Sequence, residues 1–424
     1  MINMTEGPLN DILVLDLSRA LAGPIAAMML GDLGARVIKV ESPGSGDDSR
    51  TWGPPFVGPD EDPQSSYFMS ANRNKESIQL DLKSERGKEV LRKLIRRADV
   101  LIENLRPGAF DRLGFSAEEL ERLNPRLVLL SITGFGHDGP EGARAGYDQI
   151  AQGEAGLMSV TGSPETGPTR IGVPIADVLA GVHGATGVSA ALAGRARSGR
   201  GSVVRTSLLA AAISAHTFQG TKWTVGSQVA QPTGNHHPQI APYGSFRCAD
   251  GFVQVAVGSE AIWQKFAPVA GVAPADPRFA LNPDRVKNHS DLVATIEDAF
   301  VTQSRADVLR KLNTAGVPAG AIRTIDEVYT WDQTLSQGLL IEVDHSVVGP
   351  VKLPGPSLRM ETADGSSLLR SRHHAPPALG EHTVAIENWL DESSDIDSYS
   401  GCARLTAPSS SREAPDPTVF EPVQ

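Results

Sequence analysis

The sequence predicts an α/β protein: a large domain built on a doubly wound, mainly parallel sheet, with a second, smaller α+β domain. Three observations carry this. Short branched apolar runs alternate with helical segments through the first half of the chain, the pattern of strand-helix-strand units. Near residue 225 the pattern changes to a hairpin-like pair of strands followed by helices. With 424 residues, 40% of them hydrophobic and 5% aromatic, the chain has apolar surface for two unequal cores.

The run Ile12-Leu13-Val14-Leu15-Asp16-Leu17 suits a strand buried on both faces. A loop follows at 18–23; Pro24 opens a helix of small residues over 24–32, and Gly34 ends it before a strand over 36–40. A second cycle places a helix over 84–97, a strand over 100–103, a helix over 117–123 and a strand over 127–132. From Asp177 onward, Ala180, Gly181, Gly184, Ala185, Gly187, Ala190 and Ala191 form a helix with so little bulk that neighbouring backbone can approach it closely. A strand over 203–206 and a helix over 207–218 complete the first region, 1–224. The small domain, 225–330, opens on strands over 243–248 and 252–257 joined through Asp250-Gly251, and continues with helices near 260–270, 290–301 and 305–312. Strands near 339–343 and 350–353 return the chain to the large domain over 331–390. The segment 391–424, acidic and rich in serine and proline, buries too little apolar surface to order itself.

Composition excludes several classes. A formal charge of −11 argues against a nucleic-acid partner, because neutralising phosphates needs surplus Lys and Arg. Cys248 and Cys402 have no CxxC partner, so neither a disulfide framework nor a thiolate metal site is supported. No apolar stretch reaches the roughly 18 residues of a membrane span. The expectation is a cytoplasmic protein, neither exported nor bound to a membrane.

Several motifs invite chemistry. A G-x-G-x-x-G occurs at Gly134, Gly136 and Gly139 after a predicted strand, but Pro140-Glu141-Gly142 stand where a dinucleotide site needs a helix, so the stretch reads as a loop. Adjacent His236 and His237 diverge in most backbones and read as a polar loop, with no metal site. From Arg73 to Arg112, eleven Lys or Arg stand against seven Asp or Glu, a candidate anion site in an otherwise acidic chain. Arg92, Lys93, Arg96 and Arg97 fit a solvated helix face, whereas Lys83, Arg106 and Arg112 lie at element ends, where ligand-facing groups concentrate. Asp177 enters the small-residue helix near its N-terminus. Two readings compete there: a cap that accepts a backbone N–H, or a nucleophilic carboxylate kept ionised by the positive helix end.

Taken together, VLDLSRALAGP (14–24), GDLGARVIKVESPGSGD (31–47), NRNKESIQLDLK (72–83), ADVLIENLRPGAFDRLGF (98–115), GYDQIAQGEAGLMSVTG (146–162), GVPIADVLAG (172–181) and LGEHT (379–383) resemble the class III CoA-transferases. That family includes formyl-CoA and carnitine CoA-transferases, and the resemblance covers about residues 8–390. It implies that Asp177, the one aspartate of GVPIADVLAG, is the catalytic nucleophile. It attacks an acyl-CoA thioester to give a mixed anhydride, then an aspartyl-CoA thioester, from which an acceptor carboxylic acid takes the CoA. The resemblance also implies CoA contacts at Leu21, Ala22, Leu80, Asp81, Leu82, Lys83, Asn104, Leu105, Arg106, Arg112, Tyr147 and Asp148. Coenzyme A and acyl-CoA enter as substrates, with no tightly bound cofactor, and the partner implied is a second copy in an interlocked homodimer.

Two departures alter the phosphate grip: Ser42 stands where the family has arginine, and Ala145 where it has lysine. TGNHHPQIAPYG (233–244) replaces the family's glycine-rich closing loop, which implies an acceptor other than oxalate. Acyl-CoA racemases share the fold but carry histidine in a GHD segment where this chain has Gly146-Tyr147-Asp148, so one of their two bases is missing. A non-enzymatic CoA-binding protein is the remaining alternative.

Overall fold

The computed structural model of the chain describes residues 7–142 and 144–397. Six parallel strands form its principal sheet: β1 (Leu13–Asp16), β2 (Arg36–Glu41), β3 (Lys75–Gln79), β4 (Val100–Glu103), β5 (Val128–Thr133) and β6 (Ser202–Ser207). Their order across the sheet is β3-β2-β1-β4-β5-β6, with Val14 of β1 opposite Val37 on one side and Val100 on the other. Branched residues on β1, β2 and β4 are wholly buried, as parallel strands covered on both faces require. Each such side chain removed from water contributes on the order of 1.5–3 kcal/mol. The doubly wound α/β expectation is met.

The helix after β1 spans Ala22–Asp32 and begins two residues before Pro24. Proline in the first turn still sacrifices no intrahelical hydrogen bond, because those amides have no partner within the helix. This helix packs against Ile175–Ser198, and glycine sets how closely. A Cβ on Gly181 would lie 2.8 Å from the Ala22 carbonyl oxygen, one on Gly184 2.8 Å from Leu130, and one on Gly187 2.6 Å from Val204. The long helix would pass for a membrane span by length and apolarity alone; here its glycine face presses on the Ala22–Asp32 helix, β5 and β6.

Strand β3 was not expected, because KESIQ has no apolar pattern. Its polar side chains are buried and paired instead: Lys75 with Asp16, Glu76 with Arg36, and Ser77 with Glu41. Its outer edge is covered by the late segment carrying LGEHT. The His382 N–H donates to the Ser77 carbonyl at 2.9 Å and the Gly380 N–H to the Ser77 hydroxyl at 2.9 Å. A covered edge removes a site of unwanted strand pairing.

A second core lies among later residues. The hairpin strands Tyr243–Cys248 and Gly251–Ala256, with Ala319–Ala321 as a third strand, pack Phe246 and Val253 against Trp263, Phe266, Phe279, Ile296 and Phe300, all wholly buried. The helices Glu260–Val269, His289–Phe300 and Arg305–Thr314 fall close to their expected positions. The expected helix over 207–218 is instead two, Leu208–Ser214 and Thr217–Thr224, broken where the His216 ring reaches the Ala155 carbonyl at 2.6 Å. The antiparallel pair Leu340–His345 and Gly349–Pro354 packs Val343 and Leu353 on Met69. Thr383–Asp397 is helical, so the first seven residues of the segment expected to lack order, from Asp391, are not irregular. Residues 398–424 lie outside the described residues.

Candidate active site

Strand order reverses between β1 and β4, and in such sheets ligands bind outside the carboxyl ends of the strands at that point. The loop after β1 leads to Leu21 and Ala22, both buried, and the loop after β4 carries Asn104, Leu105 and Arg106. The structure ties the two loops together. The Arg19 N–H donates to the Asn104 side-chain oxygen at 2.8 Å, and the Asn104 amide donates back to the Arg19 carbonyl at 2.8 Å. The Leu105 N–H is fixed by Glu103 at 2.8 Å.

Beneath these loops lies a buried ionic cluster. Lys39 Nζ stands 2.8 Å from an Asp47 oxygen and donates to the Ser18 carbonyl at 2.9 Å, while Lys75 Nζ reaches Asp16 at 2.8 Å. Burial opposes charge on Asp16, but Lys39 and Lys75 outweigh it and hold its carboxyl below the usual range. Asp47, against the same burial, is held at about 2 by Lys39 and by the amides of Ser49 and Ala20. The Ala20 N–H donates to Asp47 at 3.0 Å, and Ala20 has φ of 65°, so the cluster holds the loop in a left-handed turn that a non-glycine residue rarely adopts.

The other expected contacts follow the carboxyl ends of β3, β4 and β5. Leu80 is buried at the end of β3, and Asp81, Leu82 and Lys83 follow, with Lys83 exposed. Arg106 and Arg112 are exposed after β4. Arg19, absent from the expected set, is exposed and donates to the Ser42 hydroxyl at 2.9 Å, which places a cation at the position where Ser42 replaces arginine. Gly134 and Gly146 meet backbone to backbone; a Cβ on Gly134 would lie 2.6 Å from the Gly146 nitrogen. That contact gives the first glycine of the G-x-G-x-x-G a packing reason, and it carries Tyr147 and Asp148 to the end of β5.

Asp177 is the third residue of the Ile175–Ser198 helix. It does not cap that helix. Asp148, buried on the neighbouring Asp148–Glu154 helix, does so from 29 positions away, accepting the Ala176 N–H at 2.8 Å and the Asp177 N–H at 3.4 Å on one oxygen. The Asp177 carboxylate is half-buried and accepts no hydrogen bond among the described residues. Burial, and secondarily the negative charge of Asp148, raise it to about 7. The expectation that the positive helix end keeps Asp177 firmly ionised is thus corrected: Asp148 already occupies that helix end, and the net effect on Asp177 is a raised proton affinity.

Sequence reasoning missed two neighbours. The Tyr67 phenol is pushed up by burial and by the field of Asp177, Asp148 and Asp47; its ring meets the Trp52 ring at 4.9 Å. Nothing in the polar stretch around Tyr67 signals this. Gln152, wholly buried, donates to the second Asp148 oxygen at 2.7 Å, and its spacing of four from Asp148 was a readable cue. His236 and His237 of the TGNHHPQIAPYG segment line a cavity of 490 Å³ with Thr233, Asn235 and Tyr243. Burial lowers both imidazoles, which disfavours their charged form. Among the described residues no group of three or more His, Cys, Asp or Glu is placed to hold a metal ion.

A family model described as CoA-transferase family III matches residues 9–383. The chain is 37% identical over 384 residues to the succinyl-CoA:glutarate CoA-transferase of Mus musculus, covering 89% of this chain and 85% of that protein. It is 38% identical over 386 residues to the acetyl-CoA:oxalate CoA-transferase of Acetobacter aceti, covering 90% and 95%. A crystal structure of a CAIB/BAIF family protein from Brucella suis superposes with a TM-score of 0.81 at 38% identity, covering 91% of this chain and all of that one. With this fold, and over nearly its whole described length, the chain belongs to CoA-transferase family III and is a CoA-transferring enzyme.

Proposed function

We propose that the protein moves coenzyme A from an acyl-CoA thioester to an acceptor carboxylic acid through covalent intermediates on Asp177. The observation that carries this reading is a carboxylate that accepts no hydrogen bond among the described residues, at a helix start whose capping is done by Asp148. A cap would have its oxygens engaged; a nucleophile needs them available. A carboxyl near pH 7 is also a stronger oxygen nucleophile than an ordinary aspartate, while about half remains ionised at neutral pH.

Asp177 adds to the thioester carbonyl and expels CoA thiolate, leaving a mixed anhydride. The thiolate then attacks the Asp177 acyl carbon, releasing the donor acid and forming an aspartyl-CoA thioester. The acceptor carboxylate attacks that thioester and expels the thiolate again. Attack of the thiolate on the acceptor's acyl carbon delivers the new acyl-CoA and frees Asp177. Every intermediate is an activated acyl group, so water must be kept out.

Dicarboxylic acids of the glutarate kind are the proposed acceptor class, in line with the acid named for the mouse relative. The phosphates of CoA fall to the exposed cations after β1 and β4, Arg19, Arg106 and Arg112, and to Lys83 after β3. Incubation with donor acyl-CoA followed by hydroxylamine should convert Asp177 to its hydroxamate, read by peptide mass. An unmodified Asp177 peptide after repeated turnover would remove the covalent mechanism.

A further inference from the structure

The resemblance assigns Asp148 to CoA binding, but its atoms are committed elsewhere. One carboxylate oxygen takes the amides of Ala176 and Asp177, and the other takes the Gln152 side-chain amide at 2.7 Å. Gln152 is fixed in turn. Its oxygen accepts the Ile171 N–H at 2.9 Å, and its amide also approaches the Val173 carbonyl at 3.3 Å. Asp148 is 9% exposed and Gln152 0%, so neither offers a surface to a ligand. Between them they join three pieces of chain: their own short helix, the 171–173 approach, and the first turn of the helix that carries the nucleophile.

We infer that Asp148 and Gln152 form a positioning clamp for Asp177: Asp148 fixes the start of the helix that carries the nucleophile, and Gln152 holds Asp148 in place. The inference rests on the reading of Asp177 as nucleophile and gives Asp148 a role other than contact with CoA. The charged group whose field acts on Asp177 is Asp148; Tyr67, on the short Ser66–Met69 helix, feels the field of Asp177 in turn but is an uncharged phenol. On the Ala22–Asp32 helix, the atoms nearest Gly181, about one turn beyond Asp177, are the Ala22 carbonyl and the Ile25 side chain, which carry no charge. Among the described residues, Asp148 is the charged side chain whose field bears on Asp177. Two adjacent carboxylates resist simultaneous ionisation, so the charge of Asp148 adds to burial in raising the proton affinity of Asp177.

Asp148→Asn keeps an oxygen for the two helix amides and removes the charge, and it sets its own amide against that of Gln152, so this contact is lost with the charge. In the full-length enzyme it should move the acidic limb of the kcat profile to lower pH by about one unit, with CoA affinity within about twofold of wild type. Gln152→Met, similar in volume, should lower kcat on the order of tenfold at unchanged KM for acyl-CoA, because it loosens the placement of the reacting group. Simple loss of folded protein would reduce kcat without moving the limb. A limb that stays in place, or CoA affinity that falls in step with turnover, overturns the clamp. An arm independent of activity separates this from the proposed reaction: the pH at which the growing difference in unfolding free energy between wild type and Asp177→Asn levels off should also fall in the Asp148→Asn background. If that pH moves while no CoA transfer is measurable, the reaction is wrong and the clamp stands.

Discussion

Replacing Asp177 by asparagine should stabilise the folded protein at alkaline pH while abolishing turnover. The carboxyl rises from 3.8 to about 7 on folding. The folded state thus binds this proton more tightly than the unfolded chain does, so stability declines as pH rises between those values and the full penalty is present above 7. Roughly three pH units at about 1.4 kcal/mol each set a ceiling of about 4 kcal/mol. The carboxylate is only half-buried and keeps part of its hydration, which reduces the expectation to about 1–2 kcal/mol. Asparagine is neutral throughout and escapes the penalty. Urea unfolding at fixed protein concentration and at pH 5, 6, 7 and 8 would show the variant gaining on wild type through neutrality, with equal m-values. A difference flat across pH, or a variant less stable at pH 8, would refute the reasoning from burial and from Asp148.

Gly181→Ala should lower stability by about 1–3 kcal/mol, measured as a reduced urea midpoint, because its Cβ would meet the Ala22 carbonyl oxygen, a backbone atom that cannot move aside. Arg19→Gln should weaken CoA binding by about tenfold at low ionic strength and less in high salt, measured by calorimetry, with little effect on the binding of pantetheine.

What could be read from the residues depended on how far each determinant lay along the chain. β4 and the 117–123 helix fall at their expected bounds because apolar runs and a Ser116 cap are local signals. β3 was illegible, since Lys75, Glu76 and Ser77 become strand residues only once Asp16, Arg36 and Glu41 supply partners from β1 and β2. The 282–287 helix, Asn282–Lys287, was missed for a related reason: its buried Arg285 is held by the Ala241 carbonyl and by Glu260, both distant in sequence. The position of Asp177 near a helix start was readable. Its cap was not, because Asp148 approaches from another helix, and a helix-dipole argument applied to Asp177 alone ignores the carboxylate already seated there.

The ionic cluster under the β1/β4 crevice bears on why the site holds its shape. Asp16, Lys39, Asp47 and Lys75 are all essentially removed from water, a placement that apolar residues of equal volume often match or exceed in stability. Lys75 shows the strain directly: burial and the nearby Lys39 pull it down to about 8 despite Asp16. Stability therefore does not explain the cluster, but geometry does. Ala20 must hold a left-handed turn, the Ser18 carbonyl must face inward to Lys39, and Asp47 must take the Ala20 amide. An apolar core offers no directional bonds to enforce that set of orientations. A network that leaves the loop one arrangement prepares Leu21 and Ala22, and through Asn104 the neighbouring loop, before any substrate arrives, which is where preorganisation lowers the free energy lost on binding.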